Sequence, residues 1–223
     1  MIELLSIHIP KTGGTSFYHL LQEVYGNSLS ISYKRRDYKR ALRECGSLER
    51  ALPAGLRVLH GHLYYRELAA LHRRDRPKVI CWLRHPVDRV VSNFRFFKAG
   101  LRQPDRNRAN YEQNKHRIDE SLLEYARMAE NCNRMSDFLD GLALEDLFFI
   151  GFLEQFEEDV RQLGRLLAWP PTDVPQLNRG EPKSSHQRLT RAEWQELAKL
   201  NSQDMALYRK ACKLRGISEK PSL

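Results

Sequence analysis

Apolar residues along the chain keep two rhythms, and the alternation between them outlines the fold. Short apolar-rich runs at 3–9, 57–62, 78–83 and 147–152 read as strands buried on both faces, as in a parallel sheet. Between them apolar positions recur every three or four residues, which predicts helices over 15–25, 65–73, 87–98, 118–140 and 154–168. Pro86 suits the first turn of the third helix, where its missing N–H is harmless, and Val87, Val90, Val91 and Phe94 then share one face. Trp169-Pro170-Pro171 should stop the fifth helix, and Thr190 with Glu193 forms a capping box that opens a last one. Residues 26–52 read as a basic, variable segment, and 102–117 as a mobile polar loop. Strands alternating with helices imply an α/β fold with three αβα layers around a central parallel sheet, in a single domain over 1–223.

Composition narrows the class. The 223 residues suffice for one sizeable core. No run approaches 18 apolar residues, so no membrane span is expected. The N-terminus shows no basic region before a long apolar stretch, and a cytoplasmic location is the expectation. Cys45, Cys81, Cys132 and Cys212 are far apart and form no C-x-x-C pair, so free thiols are expected. Neither they nor the eight histidines show metal-ligand spacing, and no metal is expected. The formal charge of +9 is concentrated in Lys34–Arg43, His72–Lys78 and Leu101–Arg117. Each run alone reads as a solvated face; together they suit a polyanionic ligand. No recognition helix, zinc finger or RNP pattern accompanies the charge, so no nucleic-acid partner is expected.

Three segments carry candidate chemistry. Ser6–Phe17, SIHIPKTGGTSF, runs from an apolar stretch through a lysine, two glycines and three hydroxyl residues into helix-compatible sequence. A strand, a glycine turn and a helix start form an anion cradle, because backbone N–H groups and the helix dipole both favour negative charge there. Lys11 precedes Gly13 and Gly14, whereas in a nucleotide triphosphatase loop the lysine follows the glycines, so that pattern fails in its register. Lys78–Leu83 leads into Arg84-His85-Pro86, and Arg84 and Ser92 could converge on one anion. Arg57–Leu63, RVLHGHL, ends a strand in two histidines, and strand ends in open α/β sheets are where active sites gather.

The loop Lys11, Thr12, Gly13, Gly14, Thr15, Ser16 resembles the 5′-phosphosulfate loop of sulfotransferases that use 3′-phosphoadenosine-5′-phosphosulfate (PAPS). The R-x-P-x-x-R-x-x-S run from Arg84 to Ser92 is similar to their 3′-phosphate element. With His60-Gly61-His62 before it, the chain resembles the heparan sulfate 2-O- and 6-O-sulfotransferases and their bacterial relatives. That resemblance implies a P-loop-like fold and PAPS as sulfuryl donor, without a metal. It also implies a carbohydrate hydroxyl as acceptor, with Lys11 and His62 as catalytic residues and His62 as general base. It puts His60, Asn131 and Arg134, the last two in an N-x-x-R-M segment, on the acceptor side. Residues 102–117 become a candidate acceptor-side lid. The late loop Asn178–Ser185, with Lys183 and Ser184, would close over the cofactor's 3′-phosphoadenosine end. Two other classes stay open: a P-loop kinase or nucleotidase, and a non-catalytic module holding nucleotides and polyanions.

Overall fold

The computed structural model describes residues 2–32, 44, 52, 54–171 and 189–219. Five strands, β1 (Leu4–Ile7), β2 (Leu29–Ser32), β3 (Val58–Gly61), β4 (Lys78–Leu83) and β5 (Phe149–Phe152), form one sheet. Its order is β2-β3-β1-β4-β5 and every pairing is parallel. The helices among the described residues are α1 (Gly14–Tyr25), α2 (Tyr65–Asp75), α3 (Pro86–Leu101), α4 (Arg108–Asn114) and α5 (Leu122–Arg127). They continue with α6 (Arg134–Phe138), α7 (Phe156–Leu166), α8 (Arg191–Leu200) and α9 (Ser202–Arg215).

Strand side chains alternate between the two faces of the sheet, and both faces are covered. Leu4, Val58, Ile80, Trp82 and Phe149 pack against Phe17, Leu20 and Leu21 of α1 and Val160 and Leu163 of α7. On the other face Leu5, Ile7, Leu59, Cys81 and Phe152 meet Leu68 and Leu71 of α2, Met135 and Phe138 of α6, and Tyr208 of α9. The expected three layers are therefore present. Val87 and Val90 of α3 join Ala126 of α5 and Leu197 of α8 in a separate cluster to one side.

Several expected boundaries shift. The segment after α1 supplies an edge strand, β2, because Leu29–Ser32 pairs with β3. Residues 102–117 are not a loop: α4 lies within them, capped by the Asn107 side chain, which accepts from the Asn110 N–H at 3.2 Å, and supported by an Arg108–Glu112 pair. The predicted helical stretch 118–140 is broken into α5, a 3₁₀ turn at Ala129–Asn131, and α6. The last helix opens on the expected Thr190–Glu193 capping box but divides at Asn201 into α8 and α9.

The breaks at Asn133 and Asn201 share one cause, a reciprocal clasp. Asn133 takes a positive φ of 48°, which asparagine tolerates, and its side-chain oxygen accepts from the Gln203 and Asp204 N–H groups at the start of α9. Asp204 returns the favour: its carboxylate accepts from the Met135 and Ser136 N–H groups and the Ser136 hydroxyl at the start of α6. The Arg89 guanidinium of α3 is 1% exposed; it donates to the Asn131 carbonyl at 3.0 Å and faces Asp204 at 3.9 Å. Removing the Asp204 charge leaves Arg89 buried without an anion. Asp204→Ala should therefore lower stability by about 3–5 kcal/mol, read as a fall in the urea midpoint. An unchanged midpoint would show that the clasp does not hold the helices together.

Candidate functional site

The site lies at the carboxyl ends of three adjacent strands, β3, β1 and β4. The chain leaves β1 for one face of the sheet through α1 and leaves β3 for the other through α2, and such a reversal opens a crevice beyond the strand ends. Lys11 follows β1, His62 follows β3 and Arg84 follows β4.

The loop between β1 and α1 is shaped tightly. Lys11 has φ 73° and Gly13 φ 92°. The left-handed value at Lys11 costs about 1–2 kcal/mol for a residue with a Cβ. Arg84 Nη1 donates to the Lys11 carbonyl at 3.3 Å and holds that peptide. The Thr12 hydroxyl is fully buried and donates to the Ile9 carbonyl at 2.8 Å, so its contribution is to the loop's shape. Gly14, Thr15 and Ser16 form the first turn of α1, which carries no acidic residue. That turn therefore presents the positive end of a twelve-residue helix beside Lys11.

Lys11 and Arg84 are half-buried cations in one crevice. Burial lowers the pKa of Lys11, and the neighbouring guanidinium lowers it further. Burial also lowers that of Arg84, an effect opposed by Asp88 and Glu154 and reinforced by Arg95. Asp88, Ser92 and Arg95 lie on one stripe of α3, and the Asp88 and Arg95 charges on that stripe act on Arg84. Phe96, one turn past Ser92, lies 4.3 Å from Lys11 Nζ at its ring centroid. Glu154 is engaged elsewhere, accepting from the His85 N–H at 2.6 Å, and burial raises the pKa of both Glu154 and Asp88.

Three histidines underlie the loop. His60 is fully buried: its Nδ1 meets the Ser6 hydroxyl at 2.8 Å, and burial pushes its pKa down to about 3 against a hydrogen bond with the Gly14 backbone. It braces the loop from beneath and does not reach the crevice surface, which corrects its expected place on the acceptor side. His8 stacks on it at 5.2 Å and meets the half-buried His62 ring at 4.5 Å. Burial first, then His60, His62 and Lys11, hold the His8 pKa well below the usual histidine range. A Cβ on Gly14 would lie 1.9 Å from His8 Nε2, so that glycine makes room for an imidazole. Sequence reasoning passed over His8; the signal was available, since it shares the Ser6–Phe17 run with Lys11 and Gly14.

The other expected residues divide. Asn131 is buried, its side chain donating to the Tyr125 carbonyl at 2.8 Å and its own carbonyl accepting from Arg89, so it belongs to the framework. Arg134 pairs with Asp137 at 2.6 Å and donates to the Tyr64 hydroxyl at 2.6 Å. It borders an open cavity of about 420 Å³ that Asp137 and Asp140 also line, and these acids offset its charge. Lys183 and Ser184 lie outside the described residues, as do Cys45 and all of Lys34–Arg43. Among the described residues no three His, Cys, Asp or Glu side chains group to hold a metal ion, and no helix is long and apolar enough to cross a membrane.

A family model described as "Sulfotransferase family" matches residues 2–211. Among solved structures, mouse sulfotransferase SULT7A1 complexed with PAP is similar at 12% identity and a TM-score of 0.52, over 96% of this chain and 88% of that one. A sulfotransferase from Alicyclobacillus acidocaldarius is similar at 18% identity and a TM-score of 0.51, over 98% and 97% of the two chains. No curated protein matches.

Two outcomes test this packing. His60 has a folded-state pKa near 3, below its ordinary 6.5, so the unfolded chain takes up the proton first. Its contribution to stability is whole above about pH 6.5 and falls toward pH 3 by up to about 1.4 kcal/mol per pH unit. Urea midpoints measured from pH 7 to 4 should fall less steeply in His60→Gln; an equal slope would contradict a neutral buried His60. Gly14→Ala should lower stability by about 1–3 kcal/mol, the overpacking against His8 outweighing the helical preference for alanine. A rise in its midpoint would mean that His8 does not fill that space.

Proposed function

The chain belongs to the sulfotransferase family, and from that premise we propose that it transfers a sulfuryl group from PAPS to a carbohydrate hydroxyl, with His62 as general base. The observation that carries this reading is the bond from Arg84 to the Lys11 carbonyl, which joins the two anion-binding segments in one crevice. The donor set fits: a half-buried lysine and arginine beside a helix N-terminus without acids. The kinase and nucleotidase alternative is set aside with family membership.

Lys11 and the backbone of residues 12–16 would hold the 5′-phosphosulfate end, and Arg84 with Ser92 the 3′-phosphate. Lys183 and Ser184 stay in the proposal on sequence resemblance alone. When bound, the donor supplies an activated sulfuryl group. His62 takes the proton of the acceptor hydroxyl; a near-neutral intrinsic pKa suits a base at that task. Lys11 offsets charge that develops on the leaving group, and with positioning this carries most of the acceleration. A sugar acceptor and the relation to the heparan sulfate enzymes rest on the HGH and RHP segments.

Sulfur-labelled PAPS with a panel of glycans (unsulfated heparosan oligosaccharide, chitohexaose and a lipid-linked disaccharide) should label at least one, and labelling none of them would overturn the carbohydrate reading. His62→Ala should lose about 10²–10⁴ in turnover while still binding adenosine 3′,5′-bisphosphate. Lys11→Ala should lose about 10²–10³. Arg84→Ala should weaken binding of that bisphosphate in calorimetry, because it removes both a cation and the clamp on the Lys11 peptide. Native affinity in Arg84→Ala would remove the 3′-phosphate assignment.

A further inference from the structure

We propose that His8 is a positioning residue for His62: a buried imidazole that fixes the base at the crevice and ties its alignment to the donor loop. This rests on the reading of His62 as base.

His8 occupies the junction of the two elements that must cooperate. Its backbone N–H donates to the Gly61 carbonyl at 2.8 Å, immediately before His62, and its ring touches that of His62. On the other side the ring lies flat on His60, with planes 9° apart. Gly14 makes room for it, and Lys11 follows three residues later on the same loop. Any displacement of the loop that moves Lys11 therefore moves the surface against which His62 rests.

The chemistry gives a reason for an imidazole at this place. When His62 takes the acceptor's proton it becomes a cation, next to a crevice already holding Lys11 and Arg84. A charged neighbour would oppose that step. His8 is 7% exposed, and burial keeps it neutral, so it supports the ring without competing for the proton. Its polar ring also suits the forming imidazolium better than a hydrocarbon would.

His8→Phe keeps a flat ring of similar width and removes the nitrogens, whereas His8→Gln keeps a polar group. With the glycan of the panel that is sulfated fastest, His8→Phe should lower kcat about tenfold to a hundredfold. Its acceptor KM and its affinity for adenosine 3′,5′-bisphosphate should stay close to native, and His8→Gln should recover more of kcat than His8→Phe. If His8→Phe does not fold, His8→Gln should still show the loss in kcat without a loss in donor affinity. In a His62→Ala background His8→Phe should cost nothing further, because a residue acting through the base has no effect without it. Native kcat in His8→Phe, or an equal loss with and without His62, would overturn the inference and assign His8 to packing. Native turnover in His62→Ala would instead remove the base itself, so the two failures are distinguishable.

Discussion

The Arg84 guanidinium donates to the Lys11 carbonyl, so two cationic side chains from segments 73 residues apart share one crevice. Two such like charges repel, and the Arg84 charge accordingly lowers the pKa of Lys11 beyond what burial alone does. The sheet order makes the meeting unavoidable. β1 lies directly beside β4, in register from Leu4 with Lys78 to Ile7 with Cys81, so their outgoing loops emerge together. Asp88 and Glu154 temper the repulsion without cancelling it, and one of them is committed to the start of α3.

Beneath the cations the structure does something less expected. A glycine-rich anion loop is usually explained by the ligand's need for close approach. Here Gly14 answers to His8, and the backbone of Gly14 answers to His60. Ser6 and His60 stand opposite each other in the β1–β3 register and bond at 2.8 Å, which anchors that arrangement to the sheet. Gly13 lies against Leu153 and Phe156, while the start of α1 is supported by neutral imidazoles. Such rings can meet backbone and hydroxyl groups that a leucine would leave unsatisfied.

Much of this was legible in the chain because it is local. The β1-loop-α1 and β4-α3 segments announce themselves through apolar runs, glycine placement and Pro86, and the Thr190–Glu193 box was read from two residues. What escaped depends on partners distant in sequence. β2 is four residues long and owes its strand character to pairing with β3. The division of 118–140 follows from Asp204, some seventy residues downstream, accepting from Met135 and Ser136. His60 and His62 look equivalent in an HGH run; only strand alternation and the neighbour at Ser6 send one into the core and leave the other half-buried at the crevice. His8 reads as a strand end until Gly14 is folded back against it.

The clasp and the crevice are joined by a single helix. α3 carries Arg89, which faces Asp204 and the Asn131 carbonyl, and one turn later Ser92, on the stripe whose charges act on Arg84. Residues three apart on a helix lie on neighbouring faces of a stiff element, so the rotation of α3 that satisfies Arg89 also sets the direction of Ser92. Arg89 has two guanidinium nitrogens, Nε and Nη1, without hydrogen-bond partners among the described residues, an unusual cost for a side chain that is 1% exposed. A hydrocarbon at that position would pack without this penalty, yet it could not grip both the Asn131 carbonyl and the Asp204 carboxylate. The charge at position 89 therefore makes most sense as a device for direction: it fixes how α3 is turned, and through α3 it fixes the wall of the crevice that a donor would meet.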